Sequence, residues 1–266
     1  MKRVVLLVVA VCLGIFAFAQ DAAEKMNQAN EALQNKEYAK ALELYQEVLA
    51  IPDHGQNVEG INTAINQLKP IIAKENASDA IDNNEYDKAA ELYKAAMAEY
   101  PDDASIADQA GVKFYNAGIT NYKSENYLDA AKCFTKAESD FKYEKAEKYK
   151  VAALKKLAEG LASEGKTSIE GVNVLPENKQ LLTESLSKAY FDEGYELYKE
   201  GAALIKKAGE DVNNGSYTTV DDEYKNAVAE GKKKFEQAIP IMKKALAIDP
   251  NNANAKSVLD ACEKSL

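Results

Sequence analysis

The sequence predicts an all-α fold, an α-solenoid of stacked helical hairpins, on three observations. Helix-breaking residues are scarce, an aromatic-Ala-aromatic pattern recurs along the chain, and the stretches between its copies keep helical apolar spacing. Gly 13 and Pro 6 amount to 19 of 266 residues, below the usual combined share of roughly 12%, while Ala, Glu, Lys and Leu, all good helix formers, abound. The net charge is -10, which repels a polyphosphate surface, so nucleic acid is excluded as a partner. One His, no Trp and three Cys leave little for metal or nucleophile chemistry. No cofactor, no metal and no catalytic residue is expected.

The first element is a leader. Lys2 and Arg3 precede the uncharged apolar run 4–18, which closes on Ala17-Phe18-Ala19 before Gln20. This is the pattern of a secretory signal with an A-x-A cleavage site, and the run is shorter than the ~20 residues of a spanning helix. Residues 1–19 are therefore assigned to a signal peptide, with cleavage near Ala19-Gln20. Cys12 follows Val11 in mid-run, not a small residue at the run's end as in lipoprotein signals. The membrane enters only through export. The chain is expected in the periplasm or cell envelope, or secreted. Cys133 and Cys262 lie 129 residues apart. In an elongated array that separation exceeds disulfide reach, so two unbridged, packed thiols are expected.

Three segments then share one pattern: Tyr38-Ala-Lys-Ala41-Leu-Glu-Leu-Tyr45, Tyr86-Asp-Lys-Ala89-Ala-Glu-Leu-Tyr93 and Tyr127-Leu-Asp-Ala130-Ala-Lys-Cys-Phe134. A fourth, Phe235-Glu-Gln-Ala238-Ile-Pro-Ile-Met242, follows near the C-terminus. Positions 0, +3 and +7 share a helical face, with Ala where another helix must come close. Ala29, Ala77 and Gly118, each nine residues before a leading Tyr, are the contact points of a preceding helix. Each segment is thus the second arm of a helical hairpin.

On these residues, with Pro101 and Pro250 fifteen after Tyr86 and Phe235 and with the Ile248-Asp-Pro-Asn-Asn252 turn, the chain resembles the tetratricopeptide repeat (TPR) family, built of 34-residue helix-turn-helix units. Tyr38 to Tyr86 is 48 residues and Tyr86 to Tyr127 is 41. The surpluses of 14 and 7 are close to whole helical turns, so lengthened first helices are expected there. Residues 20–142 form three TPR-like repeats. Residues 143–177 form a degenerate one: 143–163 is helical, but its second arm would hold Gly165, Gly171 and Val174 without the signature. Residues 178–266 form a long helical hairpin (178–209, a turn at 210–219, then 221–248 through Pro240), the last TPR-like repeat and a capping helix, 252–264, with Lys256, Asp260 and Glu263 facing water.

Gly160-Leu-Ala-Ser-Glu-Gly165-Lys166-Thr167 matches the phosphate-loop pattern by letter. That loop needs a strand before it, and residues 149–159 have helical spacing, so an inter-helix turn is expected. His54 has no Cys or His at ligand spacing and is assigned to a loop. Across 210–222 an EF-hand alignment puts Val212 at an oxygen-ligand position. Asp102-Asp103 and Asp221-Asp222 are expected to cap helix starts. Tyr38, Tyr45, Tyr86, Tyr93 and Tyr127 are expected in the core.

The resemblance implies a superhelix whose first helices line a concave groove for a protein or extended peptide. Carried over by position, the groove residues are Asn27, Asn30 and Gln34 in the first repeat, Lys74, Ser78 and Asp82 in the second, and Tyr115, Asn116, Ile119, Tyr122 and Lys123 in the third. The basic clamp for acidic C-terminal tails is met only at Asn30; Met26, Glu75 and Val112 depart from it. The expected function is a non-enzymatic protein-protein interaction scaffold of the bacterial cell envelope. The alternatives are a periplasmic carbohydrate or small-ligand binding protein using the Tyr-rich long helices, and a P-loop nucleotide binder at 160–167. The long hairpin is also a candidate for self-association.

Overall fold

The computed structural model describes residues 20–52 and 54–266. The signal-peptide assignment for 1–19 lies outside the described residues. The described chain is all-α: α1 (20–34), α2 (Tyr38–Ala50), α3 (Val58–Asp82), α4 (Tyr86–Glu99), α5 (Ser105–Lys123), α6 (Tyr127–Thr135) followed by a π-turn (Lys136–Asp140), α7 (Ala146–Ser163), a 3₁₀ turn (Pro176–Asn178), α8 (Lys179–Asn213), α9 (Asp222–Ile248) and α10 (Ala253–Ser265). No strand occurs among the described residues. The helices divide into two compact units, one holding the residues up to Phe114 with Ser139–Tyr143, the other Tyr115–Glu138 with Glu144–Leu266.

In the first unit, Ala22, Ala29, Ala32, Ala41, Tyr45, Val48, Ile61, Ile65 and Leu68 of α1, α2 and α3 form one buried cluster. The surplus residues before Tyr86 lie in α3, a 25-residue helix that continues through Pro70 and is capped by Asn57, whose side chain accepts from the Gly60 amide. The lengthened first helix is therefore present. The signature positions of α4, Tyr86, Ala89 and Tyr93, are buried. The Tyr93 ring meets Phe114 and Phe141 edge-on at 6.3 and 5.8 Å, and those two rings stack at 5.5 Å. Of the five expected core tyrosines, Tyr45, Tyr86 and Tyr93 are buried, whereas Tyr38 and Tyr127, which open their helices, are half-buried.

The turns into α2, α4 and α6 are alike. Lys36, Asn84 and Glu125 each take φ near +60° (62°, 61° and 63°). The amide after each bonds back five residues: Glu37 to Ala32, Glu85 to Ala80 and Asn126 to Asn121. This is the Schellman exit, whose left-handed position strongly favours Gly, because a Cβ there crowds the next carbonyl. Lys36→Gly and Glu125→Gly should therefore each raise stability by about 0.5–1 kcal/mol. An unchanged or lowered urea midpoint would contradict this.

In the second unit, Ala130, Cys133 and Phe134 of α6 are buried, and α7 packs on both α6 and α8. Residues 164–175 form no helix, so the 143–177 segment contributes one helix rather than two. Asn178, buried, donates to the Thr135 hydroxyl at 2.7 Å and closes this loop onto α6. α8 runs to Asn213, four residues beyond the expected end at Gly209, and the turn lies at 214–221. The Asn213-Asn214-Gly215 signal expected to mark the turn from 210 onward instead ends the helix: Val212 is half-buried and α8 closes in its own Schellman exit at Gly215 (φ +80°).

Small residues recur every seventh position on both long helices: Ser187, Gly194, Gly201 and Ala208 on α8, and Gly231, Ala238 and Ala245 on α9, all buried. The two helices run antiparallel, with Ser187 Oγ donating to the Ala245 carbonyl at 2.9 Å and Gly201 facing Gly231. A Cβ at Gly201 would lie 2.6 Å from the Gly231 carbonyl oxygen, and one at Gly231 would lie 2.8 Å from that of Gly201. The two backbones touch where only glycine fits. α10 docks alongside, N-capped by Asn252, whose amide also donates to Ser187 Oγ at 2.9 Å. Lys256, Asp260 and Glu263 are exposed on it. Cys133 and Cys262 are both buried thiols.

Candidate functional site

The residues expected in the groove have unequal roles in the structure. On α1, Asn27 and Gln34 are exposed, while Asn30 Oδ1 accepts from the Tyr45 hydroxyl at 2.7 Å. On α3, Lys74 reaches Asp103 and the Ser105 hydroxyl, both at 3.0 Å. The Ser105 hydroxyl and then Lys74 hold the Asp103 carboxyl below its ordinary range. Ser78 is buried beside the Tyr93 hydroxyl, and Asp82 is exposed. On the second-unit part of α5, Tyr115 packs against Phe134 at 5.8 Å and Tyr149 at 5.4 Å, and Tyr122 meets Tyr127 at 5.4 Å. Ile119 is half-buried; Asn116 and Lys123 are exposed. Tyr115 and Tyr122 thus lie in ring clusters with one side left toward solvent.

A further set of groove positions on α8 comes from the hairpin geometry. In the third repeat Gly118 opposes Phe134, sixteen residues later, so closely that a Cβ would come within 2.6 Å of the ring. Ala29 with Tyr45 and Ala77 with Tyr93 have the same sixteen-residue separation, and all four are buried. In the last hairpin the residue opposite Met242 is Gly194, whose Cβ would lie 2.9 Å from the Met242 methyl, 48 residues away in sequence. The hairpin is the same unit with 32 residues added across its two arms. Carrying the offsets of Tyr115, Ile119 and Tyr122 from Gly118 over to Gly194 selects Phe191, Tyr195 and Tyr198. The signal is present in the chain: Tyr115-Asn-Ala-Gly118-Ile-Thr-Asn-Tyr122-Lys123 and Phe191-Asp-Glu-Gly194-Tyr-Glu-Leu-Tyr198-Lys199 share their spacing. The long insertion hides it from a search at 34-residue intervals.

These three α8 rings form one wall of a cavity of about 430 Å³ whose other wall is Asn254, Ser257, Val258 and Ala261 of α10. Phe191 and Tyr195 are near-parallel with centroids 5.3 Å apart, Tyr195 and Tyr198 near-parallel at 6.1 Å, and Tyr198 continues inward onto Phe235 at 5.5 Å. Tyr195 remains 37% exposed. The charges flanking it are matched within α8: Lys188 to Asp192 at 2.6 Å and Lys199 to Glu196 at 2.7 Å, with the Lys199 ammonium 5.2 Å from the Tyr195 centroid. Hydrogen bonding to Glu196 is the main reason the Lys199 pKa lies above its ordinary value. The arrangement offers apolar contact and neutral hydrogen-bonding groups.

The 160–167 segment has another role. Gly160 lies within α7, and Gly165 takes φ +75° at the helix exit. The Lys166 carbonyl accepts from the Tyr190 hydroxyl at 2.9 Å, so the segment is a turn clamped by α8, entered from a helix and not a strand. His54 Nδ1 accepts the Gln56 amide at 3.0 Å. Asp103 meets the Ser105 amide at the start of α5, as expected of a cap. Asp221 stands at the N-cap of α9 and Asp222 in its first turn, as expected, but the Asp221 carboxylate accepts from the Thr218 amide at 2.6 Å and not from an amide of the helix. Among the described residues no group of three or more His, Cys, Asp or Glu is placed to hold a metal ion, and no helix is long and apolar enough to cross a membrane.

The hairpins are TPR-like. Each pairs a small residue on its first helix with the aromatic-Ala-large face of its second. No protein-family model and no curated protein matches the chain. Among solved structures it is similar to a TPR repeats protein from Bacteroides fragilis, at 16% identity over 92% of this chain and 99% of that one, with a TM-score of 0.31.

Proposed function

We propose that this chain is an exported, non-enzymatic scaffold of the cell envelope that seats an extended segment of a partner protein against the first helices of its hairpins. The observation that carries the reading is the repeated register of Tyr115, Ile119 and Tyr122 on α5 and Phe191, Tyr195 and Tyr198 on α8. In the α8 copy the rings face a cavity with a neutral polar wall opposite, on α10. Aromatic anchors in a pocket with a few polar groups supply most of the affinity in such contacts. Export is proposed from the leader at 1–19.

Amine-reactive cross-linking in the native cell tests this reading. A partner protein should be captured at Lys199 and Lys256, which flank the groove, and capture should fall at least tenfold with Tyr195→Ala. The captured chain, weighed intact, should begin near Gln20. Capture that ignores Tyr195→Ala, or glycan binding with no protein partner, would replace the scaffold with the ligand-binding alternative.

A further inference from the structure

Resting on that reading, we infer that the first unit takes a basic part of the partner segment, a lysine or arginine of which seats on Asp82 and Ser78 at the C-terminal end of α3. The two units differ sharply in charge. The leader apart, the first holds nine Lys against nineteen Asp and Glu, a net charge of -10 in 100 residues, whereas the second holds 22 against 24, a net of -2 in 147. Repulsion inside so acidic a unit is relieved by a cationic partner, and its field draws such a partner in.

On α3, Lys74, Ser78 and Asp82 follow at four-residue steps along one face. Asp103 neutralises Lys74 at 3.0 Å, so the charge left on this stripe is the Asp82 carboxylate, exposed in the last helical turn. That turn holds Asp79 and Asp82 and no basic residue, although the carbonyl end of a helix carries the negative pole of its dipole and favours cations. A positive charge is what this end lacks.

Acidic helix ends are common, and this one is set apart by the group beneath it. The Tyr93 hydroxyl is fully buried and, among the described residues, is a buried side-chain polar atom with no hydrogen-bond partner. It lies beside Ser78, itself buried, and near enough to Asp82 to feel its charge. Leaving a phenol unpaired in a core is costly, and Phe would fill the same space without that cost. A bound ammonium or guanidinium gives the hydroxyl its use. The cation donates to the Asp82 carboxylate and to one lone pair of Ser78 Oγ, the Tyr93 hydroxyl donates to the other, and the Ser78 hydroxyl donates to Asp82. Tyr93 is thus a positioning residue that acts through Ser78 and never touches the occupant. A divalent metal ion is the poorer match, because among the described residues no three carboxylate, thiol or imidazole side chains are grouped to hold one.

The test is calorimetric titration of the mature chain, at physiological salt, with a blocked twelve-residue peptide of four Arg-Gly-Ser units. The comparators are the same peptide with Gln for Arg, and calcium chloride. The Arg peptide should bind at least tenfold more tightly than the Gln peptide. Asp82→Asn should weaken it about fivefold or more, whereas Glu43→Gln, which removes the same charge from an exposed position on α2 of the same unit, should weaken it less than about twofold. Tyr93→Phe and Ser78→Ala should each weaken it about threefold, the first while raising the stability of the free chain, a combination that a merely structural role does not produce. Circular dichroism would verify that the variants are folded. Equal losses from Asp82→Asn and Glu43→Gln, full affinity in Tyr93→Phe, equal binding of the two peptides, or an Asp82-dependent calcium response in place of the peptide response would each overturn the inference. If the Arg peptide fails while capture of the cellular partner is still lost with Tyr195→Ala, the scaffold reading stands and only the basic assignment falls.

Discussion

Gly201→Leu should cost the second unit about 3 kcal/mol or more, at the upper end of what overpacking does to a closed interface. The side chain has nowhere to go: its Cβ alone meets a backbone oxygen at 2.6 Å, the Phe235 ring at 2.9 Å and the Lys234 Cβ at 3.0 Å. Backbone cannot rotate aside as a side chain can, so α8 and α9 must separate along several seven-residue layers. Even Gly201→Ala should destabilise, although Ala is intrinsically the better helix former by about 1 kcal/mol. Gly209→Ala, on the same helix with nothing within 4 Å of its Cβ, isolates that propensity gain and should be stabilising. The comparison is read from urea midpoints of the three variants. A Gly201→Ala protein as stable as the parent would show that the two helices do not touch through their backbones.

Tyr93 should give opposite outcomes in two substitutions. Tyr93→Ala removes a fully buried ring from contact with Phe114 and Phe141 and should cost about 3–5 kcal/mol. Tyr93→Phe keeps that ring and removes a buried hydroxyl that makes no hydrogen bond of good geometry, so it should gain about 1 kcal/mol. Burial, and after it the Asp82 charge, pushes the Tyr93 pKa up to about 12. The folded state thus holds this proton more tightly than the unfolded chain, whose tyrosines titrate near 10. The resulting stability is complete below pH ~10 and is lost as pH rises toward 12. Tyr93→Phe should therefore flatten the alkaline limb of the stability profile. An unaltered limb would mean that the hydroxyl reaches solvent or finds a partner.

The candidate groove was partly legible in sequence. The positions on α1, α3 and α5 are those the family resemblance implies, and the register that carries them over is the spacing between a small residue and the next leading Tyr, a local quantity. Those on α8 did not, because 32 added residues separate Gly194 from the Met242 it faces. Only the contact across the hairpin shows which Gly corresponds to Gly118. Ser78 and Lys74 illustrate the converse: their positions were placed by register, but the burial of one and the pairing of the other with Asp103 depend on neighbours 15 and 29 residues away.

By itself the sequence determined the all-α class, the second arm of each signature-bearing hairpin and the length added to α3. These depend on helical periodicity and on Ala or Gly at contact positions, which act over one or two turns. The tertiary structure alone decided that α8 and α9 close backbone to backbone at Gly201 and Gly231, that α7 stands without a partner arm, and that α8 and α10 leave a neutral aromatic groove between them. Those outcomes depend on which distant faces meet. Periodicity says that a helix has a face to bury but carries no information about what will cover it.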